Sequence, residues 1–547
     1  KRPNSMQLGF VIDHSKCIGC HACTIACKSE NNVPLGDFRT WVKYTERGTF
    51  PEVKRSFAVL RCNQCSEPPC VEICPTVALT KGENGIVDID PKWCVGCKSC
   101  TQACPYDSIY INEDKGTAEK CHFCAHRVEE GLAPACAVVC PTEAIIPGDF
   151  ENAASRVAKL VAEGDLELRK AEALTKPNVF YKEAAPAGLE PLTTTPKDGY
   201  LWANRRDSVS PETEDFLADL MGQAQAAANG DGAAQGALED LARTTYDVDR
   251  KVLWGGKVSG YLMTKSLSAG LILTALPLAW GAESPMAALG LPTALALVFL
   301  VITLALLIGD LKRPERFYFL LTHPNWDSWL VRGGIILSVF GALLAFGLLD
   351  AIAGLTSGGG GQALGVASAV VAAAAAGYTG SLFAQAKGRV LWMQRGLWPT
   401  LIVQALIAGA SAMLLLGPLL DGIGGISSPA GPSALHGILI AGLGLHLAWF
   451  FFGHKLGPRG EEAVRDPEYQ QAWALFASGP RALVLRLYLA GWVFAILALG
   501  LSAAIASEPW AAEALWWLDG FAAVLALAGL HRVEHDFVQA GQELPIS

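Results

Sequence analysis

All sixteen cysteines of this 547-residue chain lie between Cys17 and Cys140, and the rest of the chain has none. They fall into four sets of four. The first is Cys17-x2-Cys20-x2-Cys23-x3-Cys27, and the second is Cys62-x2-Cys65-x4-Cys70-x3-Cys74. The third is Cys94-x2-Cys97-x2-Cys100-x3-Cys104, and the fourth is Cys121-x2-Cys124-x11-Cys136-x3-Cys140. Prolines Pro75, Pro105 and Pro141 follow the last three sets, whereas Lys28 follows the first. A lone Cys-x2-Cys pair is most often a zinc knuckle. Four complete quartets read instead as iron–sulfur ligands. Three closely spaced thiolates wrap three corners of a cube, and the fourth, turned away by its x3 spacing and proline, reaches a neighbouring cluster. Sixteen ligands supply four [4Fe–4S] clusters with none left over. His21, His122 and His126 are then surface or supporting residues rather than ligands.

Beyond the cysteines the sequence changes character. Apolar residues make up 51 % and charged residues only 17 % of the chain, with a mean hydropathy of +0.30, high for a water-soluble protein. The net charge of −9 argues against nucleic acid as a partner. Residues 1–150 form the cysteine domain. Residues 151–250 read as a connector, helical from Asn152 to Leu174, extended from Pro177 to Asn204, and of low complexity from Gly222 to Gly236. Residues 251–547 contain eight apolar segments of bilayer length: about 258–280, 286–308, 333–354, 363–384, 397–417, 434–453, 483–506 and 511–530.

Loop charge sets the expected orientation. The loops after the even-numbered segments carry Lys312, Arg313, Arg316, Arg332, Lys387, Arg389, Arg395, Lys455, Arg459, Arg465, Arg481 and Arg486. The opposite loops, near Glu283, Asp350, Asp421 and Glu508, carry no Lys or Arg. The positive-inside rule therefore predicts an inner-membrane protein with the cysteine domain and both termini on the cytoplasmic side, where thiolates stay reduced for metal.

The cysteine segment resembles the four-cluster ferredoxin subunits of the dimethyl sulfoxide reductase and polysulfide reductase group of molybdenum enzymes. That resemblance implies a cross-paired ligand scheme. Cys17, Cys20, Cys23 and Cys140 would hold one cluster, and Cys27, Cys121, Cys124 and Cys136 the second. Cys62, Cys65, Cys70 and Cys104 would hold the third, and Cys94, Cys97, Cys100 and Cys74 the fourth. Gly309-Asp310-Leu311-Lys312-Arg313-Pro314-Glu315-Arg316, with Thr322 to Trp326 and Ser328 to Arg332, resembles the second-to-third-helix loop of eight-helix quinone-reactive anchors. The implied fold is an α+β tandem bis-[4Fe–4S] ferredoxin-like domain followed by an all-α eight-helix transmembrane bundle. The implied activity is electron transfer between a molybdopterin- or tungstopterin-containing catalytic subunit and membrane menaquinone or ubiquinone.

Polar groups within lipid are costly and mark functional candidates. Lys265 sits about two turns into the first segment with Tyr261 one turn before it. It reads either as a quinone partner or as a side chain snorkelling to the surface. Asp310, His323, Trp326, Asp327 and Arg332 lie at the same face as quinone-site candidates, with Gln385 and Arg389 as weaker ones. Haem is not expected, because only the sixth segment offers a buried histidine, His446, while His531 and His535 follow the eighth segment. Two alternatives share this architecture: an ion-translocating module like the anchors of alternative complex III, and the anchor of a membrane hydrogenase. The first calls for a buried chain of acids and histidines, and the sequence shows few intramembrane acids.

Overall fold

The computed structural model describes residues 6–48, 51–195, 242–356, 358–423, 431–460, 465–478, 482–505 and 512–546. The low-complexity segment Gly222 to Gly236 and the loop acid Glu508 lie outside them, as does the side chain of Asp421. The chain divides into two compact units. The first holds the described residues up to Lys251 together with Ala386–Arg389 and residues 544–546; the second holds Val252–Gln385 and Val390–Glu543.

Two four-stranded sheets frame the first unit. In one, β1 (Leu8–Asp13) is flanked by antiparallel β8 (Ile145–Asp149) and parallel β10 (Val179–Lys182), with β9 (Glu167–Leu168) at the edge. In the other, β2 (Thr40–Arg47) pairs antiparallel with β3 (Lys54–Arg61) and with β12 (Ala242–Tyr246), which also pairs with β11 (Thr194–Thr195). Two hairpins complete it: β4 (Leu79–Lys81) with β5 (Val87–Ile89), and β6 (Ile109–Asn112) with β7 (Thr117–Lys120). Phe10, Ile12, Trp41, Leu60, Phe123 and Tyr181 form the centre of its core. Strands β9 to β12 come from residues the sequence assigns to a connector, so where described that stretch is built into the sheets. Its helix is shorter than the periodicity suggests. It spans only Arg156–Glu163, started by Ser155, whose Oγ accepts from Ala158 N at 3.1 Å, and stopped by Gly164 at φ 86°.

The second unit is a helical bundle. Its long helices are α1 (Gly256–Ala275), α2 (Gly290–Asp310), α3 (Trp329–Ala353), α4 (Gly359–Gln385), α5 (Leu397–Ile423), α6 (Gly431–Phe452), α7 (Asp466–Ser478), α8 (Ala482–Ile505) and α9 (Ala512–Glu543). Seven spans among the described residues are long and apolar enough to cross a membrane, and they coincide with the first seven apolar segments of the sequence. The eighth segment, 511–530, lies in α9, which runs on to Glu543 and carries Asp519, Arg532, Glu534 and Asp536. In the membrane window of α1, 72 % of residues are buried, against 28 % in α2 and α3. Helix α1 is therefore central, while α2 and α3 present most of their surface to lipid. Helices α1 and α5 cross at glycines: a Cβ on Gly270 would stand 1.9 Å from Ala405 O, and one on Gly409 2.1 Å from Gly270 O. Only residues without side chains let two backbones approach so closely.

Candidate functional site

The local folding of the cysteine motifs follows from two backbone devices. In Cys17-Ile18-Gly19-Cys20 and Cys94-Val95-Gly96-Cys97 the glycine takes positive φ, 69° and 68°. The residue after the pair, His21 or Lys98, is also left-handed at φ 58° and 64°, and it opens a short helix, Ala22–Asn31 or Ser99–Ala103. Each device turns the third cysteine, Cys23 or Cys100, back toward the first two.

Three cavities are lined by cysteine quartets. One is lined by Cys74, Cys94, Cys97 and Cys100. A second is lined by Cys17, Cys20, Cys23 and Cys140. A third is lined by Cys27, Cys121, Cys124 and Cys136. Among the remaining four, Cys62, Cys65 and Cys104 are electrostatic neighbours of one another and of Cys70. These groupings draw cysteines from distant parts of the sequence, as Cys17 and Cys140 show. Except for Cys20, which is exposed, the thiols are buried or half-buried. Burial pushes the thiols of Cys23 and Cys104 up to about 11 and that of Cys97 up to about 12. As thiolates they need a bound cation to hold their charge. Among the described residues, no three His, Cys, Asp or Glu side chains converge on a single-ion site.

A buried cation tests the fit of an anionic cluster directly. Arg61 is fully buried, donates from Nη1 to Cys136 Sγ at 3.2 Å, and leaves Nε and Nη2 unpartnered. A guanidinium in that position calls for negative charge at the sulfurs beside it, and thiolates around a cluster supply it. The histidines occupy supporting positions. His21 packs against Tyr44 and Tyr246, His126 meets Glu30 at 2.9 Å, and His122 lies 3.4 Å from Arg39.

In the helical unit Lys265 points inward rather than to the surface. It is 1 % exposed, and its Nζ donates to Ala376 O at 2.7 Å and Thr379 Oγ1 at 2.8 Å, with the Tyr378 ring centroid 5.1 Å away. Two of its three N–H groups are thereby used. Tyr261 is buried on the same helix, and Thr379, Asp310 and Glu534 are among its polar neighbours. Glu534 also interacts with Lys265 and has the Ser266 hydroxyl beside its buried carboxylate.

The other candidates lie elsewhere. His323, Trp326, Asp327 and Arg332 are exposed, and they are bonded to neighbours in the loop, on α3 and at the end of α4. Arg332 Nε donates to Trp326 O at 2.6 Å, His323 Nδ1 meets Thr322 Oγ1 at 3.0 Å, and Asp327 O accepts from Gln385 Nε2 at 2.7 Å. Arg389 belongs to the first unit, where its Nε donates to Gln102 Oε1 at 2.9 Å and its guanidinium lies 3.8 Å from Asp107. An open apolar groove at Leu273, Leu276, Pro277, Trp280 and Ala369 begins eight residues further along α1 from Lys265.

Sequence reasoning missed Glu534 because it ended the last helix at 530. Val533, Phe537, Val538 and Ala540 are buried at helical spacing and carry the signal that the helix continues. His531 and His535 accordingly lie inside α9 rather than after it, and His535 Nδ1 stands 3.1 Å from Ser259 Oγ. Four acids of the helical unit, Asp350, Asp519, Glu534 and Asp536, are buried. Asp350, read as a loop residue, ends α3 and accepts from Ser284 Oγ at 2.6 Å and Thr356 Oγ1 at 2.7 Å.

Comparison with known proteins places both halves. Residues 246–544 match the family model "Polysulphide reductase, NrfD". The chain belongs to the NrfD family. Residues 53–150 match a 4Fe–4S dicluster domain. The iron–sulfur half is 44 % identical over 190 residues to a subunit of tetrathionate reductase from Salmonella typhimurium, covering 34 % of this chain and 76 % of that protein. It is 40 % identical over 190 residues to a component of polysulfide reductase from Wolinella succinogenes, covering 34 % of this chain and 98 % of that one. It is 35 % identical over 224 residues to the arsenate respiratory reductase iron–sulfur subunit ArrB of a Shewanella species, covering 32 % of this chain and 96 % of that protein. The chain is thus an iron–sulfur electron-transfer subunit fused to a multi-pass NrfD-type membrane domain.

Proposed function

We propose that this NrfD fusion carries electrons between a catalytic molybdopterin- or tungstopterin-containing subunit and membrane menaquinone or ubiquinone, with its iron–sulfur half on the cytoplasmic side. The catalytic partner is inferred from relatives that are themselves named as parts of reductases. Four [4Fe–4S] clusters, held by the four cysteine groupings above, would supply one-electron storage and transfer. The polypeptide keeps their ligands buried, excludes water and sets the charge around them.

The observation that carries the quinone half is Lys265 beside Glu534. Lys265 has one N–H left to give a quinone oxygen, and Glu534 has a buried carboxyl able to hold a proton there. Quinone reduction and oxidation move protons with electrons, so a proton-exchanging group within hydrogen-bond reach is what the chemistry requires. Tyr261 and Asp310 border this pair, whereas His323, Trp326, Asp327 and Arg332 would act at the exposed loop. The test is Lys265→Met in the assembled complex: quinone-coupled turnover falls at least tenfold while artificial-dye activity and iron, about sixteen per chain, stay unchanged. Normal quinone turnover removes Lys265 from the site, and eight irons or fewer refutes four clusters.

A second reading is favoured by one observation. His436 Nε2 meets Asp519 Oδ2 at 2.8 Å, and His446 Nε2 meets Gln404 Nε2 at 3.1 Å. Each of these buried pairs keeps unpartnered polar atoms. With Glu534 they form the buried acids and histidines expected of an ion-translocating module.

A further inference from the structure

Arg61 and Lys120 are buried cations of the first unit that form no ion pair with a carboxylate among the described residues, and they occupy equivalent places in the sequence. Arg61 ends β3 and immediately precedes the pair Cys62-x2-Cys65, and Lys120 ends β7 and immediately precedes Cys121-x2-Cys124. Both side chains are essentially inaccessible, at 0 % and 2 % exposure. Arg39 and Arg243, by contrast, pair with carboxylates, with Glu119 at 3.0 Å and Glu46 at 2.9 Å, and the buried Arg169 is bonded to the backbone carbonyls of Leu189 and Ile546. Arg61 instead donates to a cysteine sulfur, and Lys120 to the backbone carbonyl of a cysteine.

Their fields overlap at one place. Arg61 donates to Cys136 Sγ, covers the Phe10 ring at 4.4 Å, and has Cys136, Cys121 and Cys23 as its charge partners. Lys120 donates from Nζ to Cys121 O at 2.9 Å and to Val87 O. Its charge partners are Cys62, Cys70 and Cys121, with the Asp88 carboxylate a weaker one. Arg61 therefore acts on the Cys17/Cys20/Cys23/Cys140 and Cys27/Cys121/Cys124/Cys136 groupings. Lys120 acts on the latter and on Cys62/Cys65/Cys70/Cys104. The Cys27/Cys121/Cys124/Cys136 grouping is the one shared by the charge partners of both. It also receives donors from Asn31, whose Nδ2 lies 3.6 Å from Cys27 Sγ and 3.9 Å from Cys124 Sγ.

We propose that Arg61 and Lys120 are positioning residues for electrons: together they raise the reduction potential at the Cys27/Cys121/Cys124/Cys136 grouping and make it an electron-holding station in the line. Net charge near a cluster and hydrogen bonds to its sulfurs both set its potential, and positive charge favours the more negative, reduced state. At an effective dielectric of about 20, one unit charge within about 8 Å changes the reduced-to-oxidised ratio by tenfold or more. The inference rests on the ligand groupings proposed above, and its test separates the two.

The experiment is an EPR-monitored redox titration of the full complex carrying Arg61→Met or Lys120→Met, with iron content measured on the same samples. Loss of a signal in Cys124→Ser assigns it to the shared grouping. Each cation substitution should lower the reduced-to-oxidised ratio of that signal about tenfold at fixed potential, equal to 59 mV for a one-electron couple. Arg61→Met should move one further signal, Lys120→Met a different one, and Arg61→Lys should restore most of its shift. Full iron with no shift in the shared signal overturns the proposal. Wild-type iron of eight or fewer per chain overturns the groupings instead. If Arg61→Met does not load iron, Lys120→Met and Arg61→Lys decide the matter: an unmoved shared signal in Lys120→Met refutes it.

Discussion

His14 makes the stability of the iron–sulfur unit sensitive to acid in a calculable way. Its ring is buried, and its Nε2 accepts from Val59 N at 3.3 Å, an arrangement that only the neutral imidazole satisfies. Burial lowers its pKa from 6.5 to about 4, against a smaller opposing effect of the Asp13 carboxylate. The folded form thus binds fewer protons than the unfolded chain. Stability is unaffected above pH 7.5, falls as pH drops through 6.5, and levels off below about 4. At 1.36 kcal/mol per pH unit, the loss is about 2 kcal/mol at pH 5 and about 3 kcal/mol once both states are protonated. His14→Gln retains an acceptor for Val59 N but cannot titrate. Urea titrations of the full chain, followed by tryptophan fluorescence and by bleaching of the iron–sulfur absorbance, give the difference between wild type and variant at each pH. Taking that difference cancels every other titrating group. It should change by about 2 kcal/mol between pH 7.5 and pH 5, the variant being the less acid-sensitive. Parallel profiles for the two proteins would refute the buried neutral histidine.

Two further outcomes concern the helical unit. Gly409→Leu places a side chain where even a Cβ would meet Gly270 O at 2.1 Å, so the α1–α5 crossing should open at a cost of about 3 kcal/mol or more; membrane accumulation and thermal inactivation report it, and a wild-type half-life argues against the close crossing. Asp519→Asn removes the acid facing His436. If the second reading holds, it should lower proton movement per electron in proteoliposomes while leaving dye-linked electron transfer intact, and an unchanged ratio removes that pair from any proton path.

The linear pattern carried the parts of this protein that depend on local chemistry. Iron needs thiolates at short spacing, so the x2 and x3 intervals around Cys17, Cys62, Cys94 and Cys121 point to iron–sulfur binding without any fold. Lipid needs unbroken apolar runs, so seven spans were legible to within a few residues. The last helix was truncated because its apolar run is interrupted by Arg532, Glu534 and Asp536, and the burial of the two acids depends on what packs against them. For the same reason Lys265 could be read two ways from sequence: whether a long amine snorkels or turns inward depends on whether a neighbouring helix offers acceptors, as Ala376 and Thr379 do.

Tertiary structure alone decided which cysteines face one another and where charge goes unpaired. Cys17 and Cys140 line one cavity because β1 and β8 pair, bringing the two ends of the cysteine segment together. Arg61 and Lys120 are ordinary basic residues in the linear sequence. Their burial without an ion pair to a carboxylate, Arg61 against the Cys136 sulfur and Lys120 against the Cys121 carbonyl, is what the fold adds and what the proposed tuning of the clusters rests on. Spacing along a chain fixes what a short segment can bind, whereas dielectric and partner depend on atoms brought from elsewhere.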